Sequence, residues 1–452
     1  MEITVQRKRT LPFLWARWRA VFHPLAHAAN TRARYGDLLI VEAERDSLAV
    51  ALSPEGARQV FAADPAGYMA FWKPGFTGVA GAGSLWVLDG ERHRSERKLL
   101  GHAFHARHLD GFGSLIRQTA RVHLQPWQPG QQRRALDTTL AISLDVIMRA
   151  VFGVTDPALA REGHILLTDL WRRMRPLIVF FPWLQRPWFP LWRRYAQAKD
   201  AFSDWVWRCL ALRRAQGGEA GDVLGSMLAA RYEDGHAMSD ADIRDELLTL
   251  LLAGHETTAT ALAWALYDLG RHPAVRARLR AELDDAGPDA DPAQVARLPY
   301  LSAVCNETLR LHTLLAEVGR VTAAPLDLAG HTLPAGSSVV VLTMAIHDDP
   351  GLYPQPRQFQ PDRFLERSYT ATEFLPFGGG HRRCLGAALS DYEMRLTLAE
   401  ILTHWEFEPA VVEQNVRHDI AMGPKYGVPL RILTRRSEPT ATAAPLRETA
   451  HA

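Results

Sequence analysis

The stretch over residues 374–386, Phe-Leu-Pro-Phe-Gly-Gly-Gly-His-Arg-Arg-Cys-Leu-Gly, contains the residues with the most evident chemistry. Cys384 stands between three consecutive glycines, Gly378–Gly380, and an apolar, helix-compatible run. A cysteine near a helix N-terminus gains from the positive end of the helix dipole, which favours the thiolate that binds metals. The glycines allow a close approach to a flat ligand, and Arg382 or Arg383 could pair with a carboxylate of that ligand. The alternative is a buried free cysteine beside a turn.

A second unusual stretch lies inside the longest helical pattern of the chain. Ser239-Asp240-Ala241-Asp242 resembles a helix-capping box, and the pattern continues to Gly270. Within this pattern stands Ala253-Gly254-His255-Glu256-Thr257-Thr258, which is a poor sequence for the centre of a buried helix. Local inconsistency of this kind is expected at functional sites. The alternative is that the threonine hydroxyls bond to helix carbonyls while Glu256 forms an ordinary ion pair.

The motif Phe377-x-x-Gly380-x-Arg382-x-Cys384-x-Gly386 resembles the haem-binding signature of the cytochrome P450 superfamily. The long helix with Glu256 and Thr257 is similar to the oxygen-activating helix of that family. Glu307-Thr308-Leu309-Arg310, with Arg363 further along, matches its Glu-x-x-Arg helix and the arginine that joins it. One departure is Thr313, which stands where the family often has proline.

The resemblance, which covers residues 30–434, implies a mainly α fold with a smaller β region. Haem b would lie between the long central helix and the C-terminal loop and helix that supply the cysteine ligand. One domain is expected over residues 30–436, after an N-terminal segment over 1–29. The tail over 437–452, rich in Ala, Thr and Pro, is predicted to be disordered.

The resemblance also implies roles for individual residues. Cys384 is the implied axial ligand of the haem iron, and Glu256 and Thr257 are the implied acid and alcohol that relay protons to dioxygen. The other residues implied at the cofactor are His93, Arg97, Arg320, Arg382, Phe377, Gly378, Gly386, Ala253 and Gly254. Among these the basic residues would hold the propionates, Gly386 would leave room above the ring, and Gly254 would make room for dioxygen. His255 is expected to point away from the haem and to pack.

The substrate pocket implied by the resemblance consists of Phe71, Trp72, Phe76, Phe180, Phe181, Thr249, Leu252, Leu315, Val318 and Met422. Glu307, Arg310 and Arg363 are implied as structural residues that brace the haem core.

The implied reaction is that of a monooxygenase with O2 as co-substrate and a lipophilic substrate such as a fatty acid, terpenoid, steroid or polyketide. Electrons would come from NAD(P)H through a ferredoxin or flavodoxin-type partner with its reductase, since 452 residues leave no length for a fused reductase. A peroxide-driven peroxygenase and a synthase that rearranges an oxidised lipid are alternatives, although neither needs the Glu256-Thr257 pair. A non-enzymatic haem sensor is a more remote alternative.

Composition excludes several other classes of protein. Lys plus Arg is 52 and Asp plus Glu is 50, so net charge gives no case for nucleic-acid binding. Three widely spaced cysteines do not make a disulfide framework, and a reducing cytoplasm is the expected location. No run approaches the roughly 20 apolar residues of a membrane span.

Two aromatic segments could still contact a membrane surface. Residues 11–22 mix aromatics with arginine at helical spacing, which suits either a membrane-surface helix or a first helix packed on the domain. Residues 165–196 interleave aromatics with arginines and prolines. By resemblance they form a mobile lid over a substrate channel, and the alternative is a packed helical hairpin.

Local patterns predict further elements. Leu38–Glu42 and Leu48–Leu52 read as paired strands, and Ser53-Pro54 as the start of a helix. Residues 66–87 have little periodicity, and the resemblance implies a flexible loop over the pocket. Strands are also expected over 330–334 and 338–343, and a turn that dips into the pocket is expected over 421–424.

Overall fold

The computed structural model describes residues 1–7, 31–42, 47–101, 104, 110–154, 156–216, 221–418 and 420–436. The predictions made for residues 11–22 and for the tail over 437–452 therefore lie outside the described residues. The described part is mainly helical with a smaller β region, as predicted.

Sixteen α-helices carry the described fold. They are α1 (Pro54–Ala62), α2 (Lys73–Ala80), α3 (Gly90–Gly101), α4 (Gly113–Leu124), α5 (Ala135–Phe152), α6 (Pro157–Arg173), α7 (Pro176–Phe180), α8 (Pro190–Ala215), α9 (Val223–Ala229), α10 (Asp240–Arg271), α11 (Pro273–Ala286), α12 (Pro292–Val295), α13 (Pro299–Leu311), α14 (Thr343–His347), α15 (Arg363–Glu366) and α16 (Ala387–His404). Short 3-10 helices cover Pro65–Gly67, Asp110–Phe112, Pro182–Leu184 and Gly380–Arg382. Proline at the first or second position starts many of these helices, because its missing N–H has no partner there anyway.

The strands form one larger sheet and three small ones. They are β1 (Ile3–Arg7), β2 (Leu38–Glu42), β3 (Leu48–Ala51), β4 (Tyr68–Ala70), β5 (Gln132–Arg134), β6 (Val318–Thr322), β7 (Leu326–Leu328), β8 (His331–Leu333), β9 (Ser338–Val341), β10 (Trp405–Pro409), β11 (Asn415–Arg417), β12 (Met422–Pro424) and β13 (Pro429–Arg435). The six-stranded sheet has the order β1-β2-β3-β9-β6-β4, and the other groups are β10-β13-β5, β11-β12 and β7-β8. The predicted β2–β3 pair is antiparallel with Leu38 opposite Ala51.

The long helix α10 forms the centre of the helical region. Its N-cap is the predicted Ser239, whose hydroxyl accepts a hydrogen bond from the Asp242 N–H at 3.1 Å. It packs against α5, α13 and α16, and side chains such as Trp264 are buried. A helix that is apolar on all faces is stable only when other elements surround it, so these neighbours hold the central stretch in place.

The predicted Glu-Arg-Arg unit is present as a buried hydrogen-bonded group. Arg310 donates from Nε and Nη2 to the two carboxylate oxygens of Glu307, at 2.7 and 2.8 Å. Arg363 donates from Nε to Glu307 Oε1 at 3.1 Å, which joins α15 to α13. Glu307 is fully buried and Arg310 is 1% exposed. Since a buried charge that loses its partner is strongly destabilising, this unit ties α13 to α15 and the segment around it.

The expected loop over residues 66–87 is wrong for much of its length, because β4 pairs with β6 and α2 follows. Glycines make the packing of α2 possible. A Cβ on Gly75 would collide with the Val179 carbonyl, and one on Gly78 would collide with the Gln185 side chain. Gln185 in turn donates its amide N–H groups to the carbonyls of Gly75 and Ile178, at 2.7 and 2.9 Å. The segment is thus helical and bonded to the region before α8.

Two other expectations change. Residues 165–196 contain the end of α6, the short α7, a 3-10 turn and the start of α8, so more than a simple hairpin is present. Residues 422–424 form a strand paired with β11 rather than a turn. Across the described ranges, no single helix is long and apolar enough to span a membrane. The pair α5 and α6, bent by 119° between them, is long and apolar enough only when the two helices are taken together.

Candidate active site

The Cys384 loop is shaped by two glycines and closed by one backbone hydrogen bond. Gly378 and Gly380 both have φ of 66°, a backbone conformation that side chains disfavour. The Cys384 N–H donates to the Phe377 carbonyl at 2.9 Å, and α16 begins three residues after the cysteine. The loop therefore presents the thiol just ahead of a helix N-terminus, as the sequence predicts.

The surroundings of Cys384 affect the ionisation of its thiol. The residue is exposed, yet enough protein surrounds it that burial raises its pKa. The Gly386 backbone N–H and the charges of Arg383 and Arg97 act in the opposite direction without overcoming burial. The helix start alone does not ionise this sulfur, contrary to the simplest expectation from the sequence. A coordinated metal would, because a thiol that binds a metal is deprotonated outright.

Three predicted basic residues, from α3 and β6, meet the segment 379–383, and the fourth, Arg382, lies inside it. His93 of α3 lies with its ring 5.7 Å from that of His381, and Arg97 donates to the Arg383 carbonyl at 2.5 Å. Arg320 of β6 donates to the Gly379 carbonyl at 3.2 Å. Arg382 itself donates to Asp89 Oδ1 at 2.8 Å. The structure thus brings the predicted basic residues to one side of the cysteine loop.

The electrostatics of this group favour an anionic ligand. Burial and the nearby Arg382 charge lower the pKa of Arg320 to about 10, and burial with the same arginine lowers the pKa of His93 to about 3. Within the described residues Arg97 and Arg320 form no ion pair, and the nearby carboxylate of Asp89 is shared by Arg382 and Lys73. Buried cations held mainly by carbonyl oxygens gain most from a ligand that carries carboxylates.

The residues present fit a haem. The thiol is available to a metal, and the buried Nε of Arg382 has no hydrogen-bond partner. A Cβ built on Gly386 would meet no atom within 4 Å, so the loop leaves space at that position. A flat ligand with two carboxylates and a central metal would use all three features.

Residues 253–258 of α10 show the threonine bond to a helix carbonyl that the sequence offers as the alternative to a proton relay. Thr257 and Glu256 are both half-buried, and the Thr257 hydroxyl donates to the Ala253 carbonyl at 2.8 Å. A Cβ on Gly254 would lie 2.5 Å from Ile147 Cδ1 of α5. The side of Gly254 that lacks a Cβ thus faces α5, and the role of this glycine in making room for dioxygen stays a prediction. Ala253, one turn before Thr257, lies on the face of Thr257.

His255 points away from that face, as predicted. It is buried, its ring lies 6.1 Å from that of Trp171, and burial lowers its pKa to about 4. The neutral ring belongs to the contact between α10 and α6.

The predicted pocket residues fall into separate groups. Phe71, Trp72 and Phe180 form an aromatic series with ring centroids 4.9 and 5.2 Å apart, and each is half-buried. Val318 lies beside Gly378, where a Cβ would be 3.5 Å from its Cγ2. These four residues, together with Ala253, remain candidates for contact with substrate.

The other six predicted pocket residues differ in exposure, and their contact with substrate stays a prediction. Phe76, Leu252 and Met422 are at most 2% exposed and pack in hydrophobic clusters, because their side chains point into the core. The buried hydroxyl of Thr249 donates to the Asp245 carbonyl and can accept from the Ser84 hydroxyl, each at 2.7 Å. Phe181 and Leu315 have 46% and 37% of their area exposed.

Sequence reasoning did not identify Glu393 of α16. This glutamate is fully enclosed, and burial raises its pKa to about 8. The Ser143 hydroxyl of α5 acts against this rise in pKa, and it lies 3.4 Å from the Gly254 carbonyl. The neutral acid on α16 thus lies near α5 and, through Ser143, near residues 253–258 of α10. An acid within an apolar helix was a signal, but only the fold shows its neighbours.

Comparison with known proteins agrees with this geometry. The family model described as Cytochrome P450 matches residues 9–429. A protein named putative cytochrome P450 135A1, from Mycobacterium tuberculosis, is 34% identical over 436 residues, covering 94% of this chain and 93% of the relative. Putative cytochrome P450 138 from Mycobacterium bovis is 33% identical over 393 residues, 86% of each chain.

Two solved structures share the fold. The retinoic acid bound cyanobacterial CYP120A1 matches with a TM-score of 0.83 and 23% identity, over 96% of this chain and 100% of that one. The heme domain of cytochrome P450DA matches with a TM-score of 0.83 and 24% identity, over 96% and 99%. At these identities the likeness concerns the fold.

Proposed function

This chain belongs to the cytochrome P450 family, and we propose that it hydroxylates or epoxidises a lipophilic small molecule. Membership makes it a haem-dependent monooxygenase. In our proposal its electrons come from NAD(P)H through a separate ferredoxin or flavodoxin-type partner with its reductase. The free thiols of Cys209 and Cys305 support a location in the reducing cytoplasm.

The haem b, when bound, supplies the dioxygen and electron chemistry. Cys384 would be its axial ligand, and His93, Arg97, Arg320 and Arg382 would hold its carboxylates. The single observation that carries this assignment is the group of partly buried cations around the Cys384 loop. Within the described residues, Arg97 and Arg320 of this group bond to backbone carbonyls and form no ion pair, and Arg382 pairs with Asp89. Phe377, Gly378 and Gly386 would leave the space that the ring needs.

Glu256 and Thr257, which lie on α10 and not on the Cys384 loop, would deliver the protons that the reaction consumes. Thr257 Oγ1 lies at the half-buried face of α10, where its hydroxyl can hold and release a proton. Glu256, next in the chain, would exchange protons between this position and solvent. A positioned acid and alcohol in a site with little water typically raise rates by about 10²–10⁴-fold.

The substrate class is proposed from the aromatic series Phe71, Trp72 and Phe180. Aromatic side chains in partial contact with one another offer apolar surface without a charge to pair with a polar substrate. Fatty acids, terpenoids, steroids and polyketides fit this description equally.

Two measurements test the proposal. The reduced protein with carbon monoxide should show the strongly red-shifted Soret band of a thiolate ligand, and Cys384→Ser should lose it. With redox partners and a substrate found by spectral binding, Thr257→Ala should lower the product formed per NAD(P)H consumed, and Thr257→Ser should restore most of it. An unchanged ratio in Thr257→Ala would contradict the proton relay and favour a peroxygenase or a synthase.

A further inference from the structure

Two glutamates, one on α3 and one on α10, bury their carboxyl groups. Glu246 of α10 is fully buried, and Glu96 of α3 is 2% exposed. Both carboxyl oxygens of Glu246 and the Oε2 atom of Glu96 have no hydrogen-bond partner among the described residues. The Oε1 atom of Glu96 accepts a hydrogen bond from the Tyr232 hydroxyl at 2.5 Å. Burying a charge without a partner costs much free energy, so these two groups require an explanation.

The surroundings of Glu246 favour its protonated form. Burial raises the pKa of Glu246 well above its usual range, and the charge of Glu96 is the next largest cause. The charges of Asp242 and Asp245 act in the same direction. The Leu85 backbone N–H acts against them, but it does not reach hydrogen-bond geometry. Glu246 is therefore a neutral acid at physiological pH.

Glu96 is the member of the pair that carries the charge. Burial raises the pKa of Glu96 too, but the Tyr232 hydroxyl and the Arg92 guanidinium lower it. No cation is left for Glu246, because Arg92 pairs with Asp242 and Arg244 pairs with Asp245. The two glutamates together thus hold one negative charge and one proton.

Glu96 lies on α3 between two residues that our proposed function assigns to the haem carboxylates, His93 and Arg97. The ion pairs of α3 with Glu233 and Asp242 involve exposed basic side chains, and exposed pairs contribute little to stability. The buried carboxyl of Glu96 is therefore the polar group of α3 that depends most on what lies beneath the helix.

We propose that Glu246 is a positioning residue for α3, which keeps His93 and Arg97 at the haem only while Glu246 holds its proton. The inference rests on the proposed function, since it takes these two residues as holding the haem carboxylates. An ionised Glu246 would place a second negative charge in the buried space of Glu96, and the repulsion would separate α3 from α10. Separation lets water reach Glu246, whose pKa then returns toward its usual value, so the opening of α3 releases one proton. Since the closed form keeps this proton, opening becomes easier as the pH rises above that usual value.

The test measures transfer of haem from the loaded full chain to apomyoglobin, from about pH 6 to about pH 8. Glu246→Gln keeps the shape of the protonated acid and cannot ionise. Glu246→Met has a similar length and is apolar, so either variant suffices if the other does not fold. The control is Glu91→Gln, which removes a carboxylate of α3 that is 77% exposed. Each protein is measured in potassium and in choline buffers of equal ionic strength.

In the unmutated protein the rate of haem transfer should rise with pH, by up to about tenfold per pH unit, because one proton is released. Glu246→Gln and Glu246→Met should give flat profiles, and Glu91→Gln should keep the slope. A flat profile in the unmutated protein, a slope that both Glu246 variants retain, or a slope that Glu91→Gln also removes would each overturn the proposal. Haem retention that improves with potassium but not with choline would overturn it as well, because a cation would then neutralise the two carboxyl groups.

The carbon monoxide spectrum, recorded before each transfer, separates this inference from the proposed function. Absence of the red-shifted Soret band in the unmutated protein would contradict the proposed function. A normal band together with a flat transfer profile would contradict only the role of Glu246.

Discussion

Replacing Gly254 by alanine tests whether this glycine serves helix packing or the dioxygen pocket. The new Cβ would stand 2.5 Å from Ile147 Cδ1 and 3.8 Å from Ile147 Cγ1. Only the terminal methyl group of Ile147 is too close, and Ile147→Val removes that methyl group. The pair Gly254→Ala and Ile147→Val therefore forms a double-mutant cycle with a defined contact.

The magnitudes follow from opposing effects. Overpacking costs about 1–3 kcal/mol, and alanine in place of glycine returns about 1 kcal/mol of helix propensity, so Gly254→Ala should destabilise by about 1 kcal/mol. Ile147→Val should cost about 1 kcal/mol by itself. In the double variant the alanine methyl occupies the vacated space, so the cost should be close to zero instead of the additive value of about 2 kcal/mol.

The assay is urea unfolding of the four haem-loaded proteins, followed by the ratio of product to NAD(P)H in each. The double variant should recover the free energy of unfolding of the unmutated protein and the coupling ratio of the Ile147→Val protein. Additive free energies within about 0.5 kcal/mol would refute the packing explanation. A coupling ratio that stays low in a stable double variant would return Gly254 to the dioxygen pocket.

Two further predictions concern Glu393 and Gln185. Because Glu393 has an ordinary pKa of 4.5 when unfolded and about 8 when folded, only the folded chain keeps the proton between these values. Stability should therefore fall by about 1.4 kcal/mol per pH unit from pH 5 to 8 through this group, and Glu393→Gln should remove that slope in urea unfolding. Parallel pH profiles of the two proteins would contradict a buried neutral acid. Gln185→Ala breaks two hydrogen bonds to the carbonyls of Gly75 and Ile178, so α2 should separate more easily from α7. Stopped-flow spectra should show faster association and faster dissociation of substrate, with little change in Kd. The control is Gln197→Ala on α8, which should leave both rates unchanged. A change in Kd alone would mean that Gln185 contacts the substrate.

Local signals in the sequence were sufficient where a feature depends on neighbouring residues. Ser239 caps α10 and Ser53 caps α1. In each case a serine oxygen accepts a hydrogen bond from the free N–H three residues later, and this contact needs no distant part of the chain. The Glu307 and Arg310 pair follows from helical spacing alone.

Features that depend on distant parts of the chain could not be predicted from local sequence. The helical state of α2 depends on contacts with Val179 and Gln185, about a hundred residues later, and its two glycines argued against a helix. The core positions of Leu252 and Met422 depend on which face of each element meets the rest of the fold. Propensity and periodicity contain no information about such a partner.

The glycines of α2 have a consequence for directed evolution of this enzyme. Val179, Gln185 and Asp245 occupy the positions that side chains on Gly75, Gly78 and Gly81 would need. Random substitution over residues 66–87 would therefore yield mostly inactive clones at these three codons, whatever the new side chain. Libraries that hold the glycines constant and vary Phe71 and Trp72 together with Phe180 would sample changes in substrate scope at a much lower screening effort.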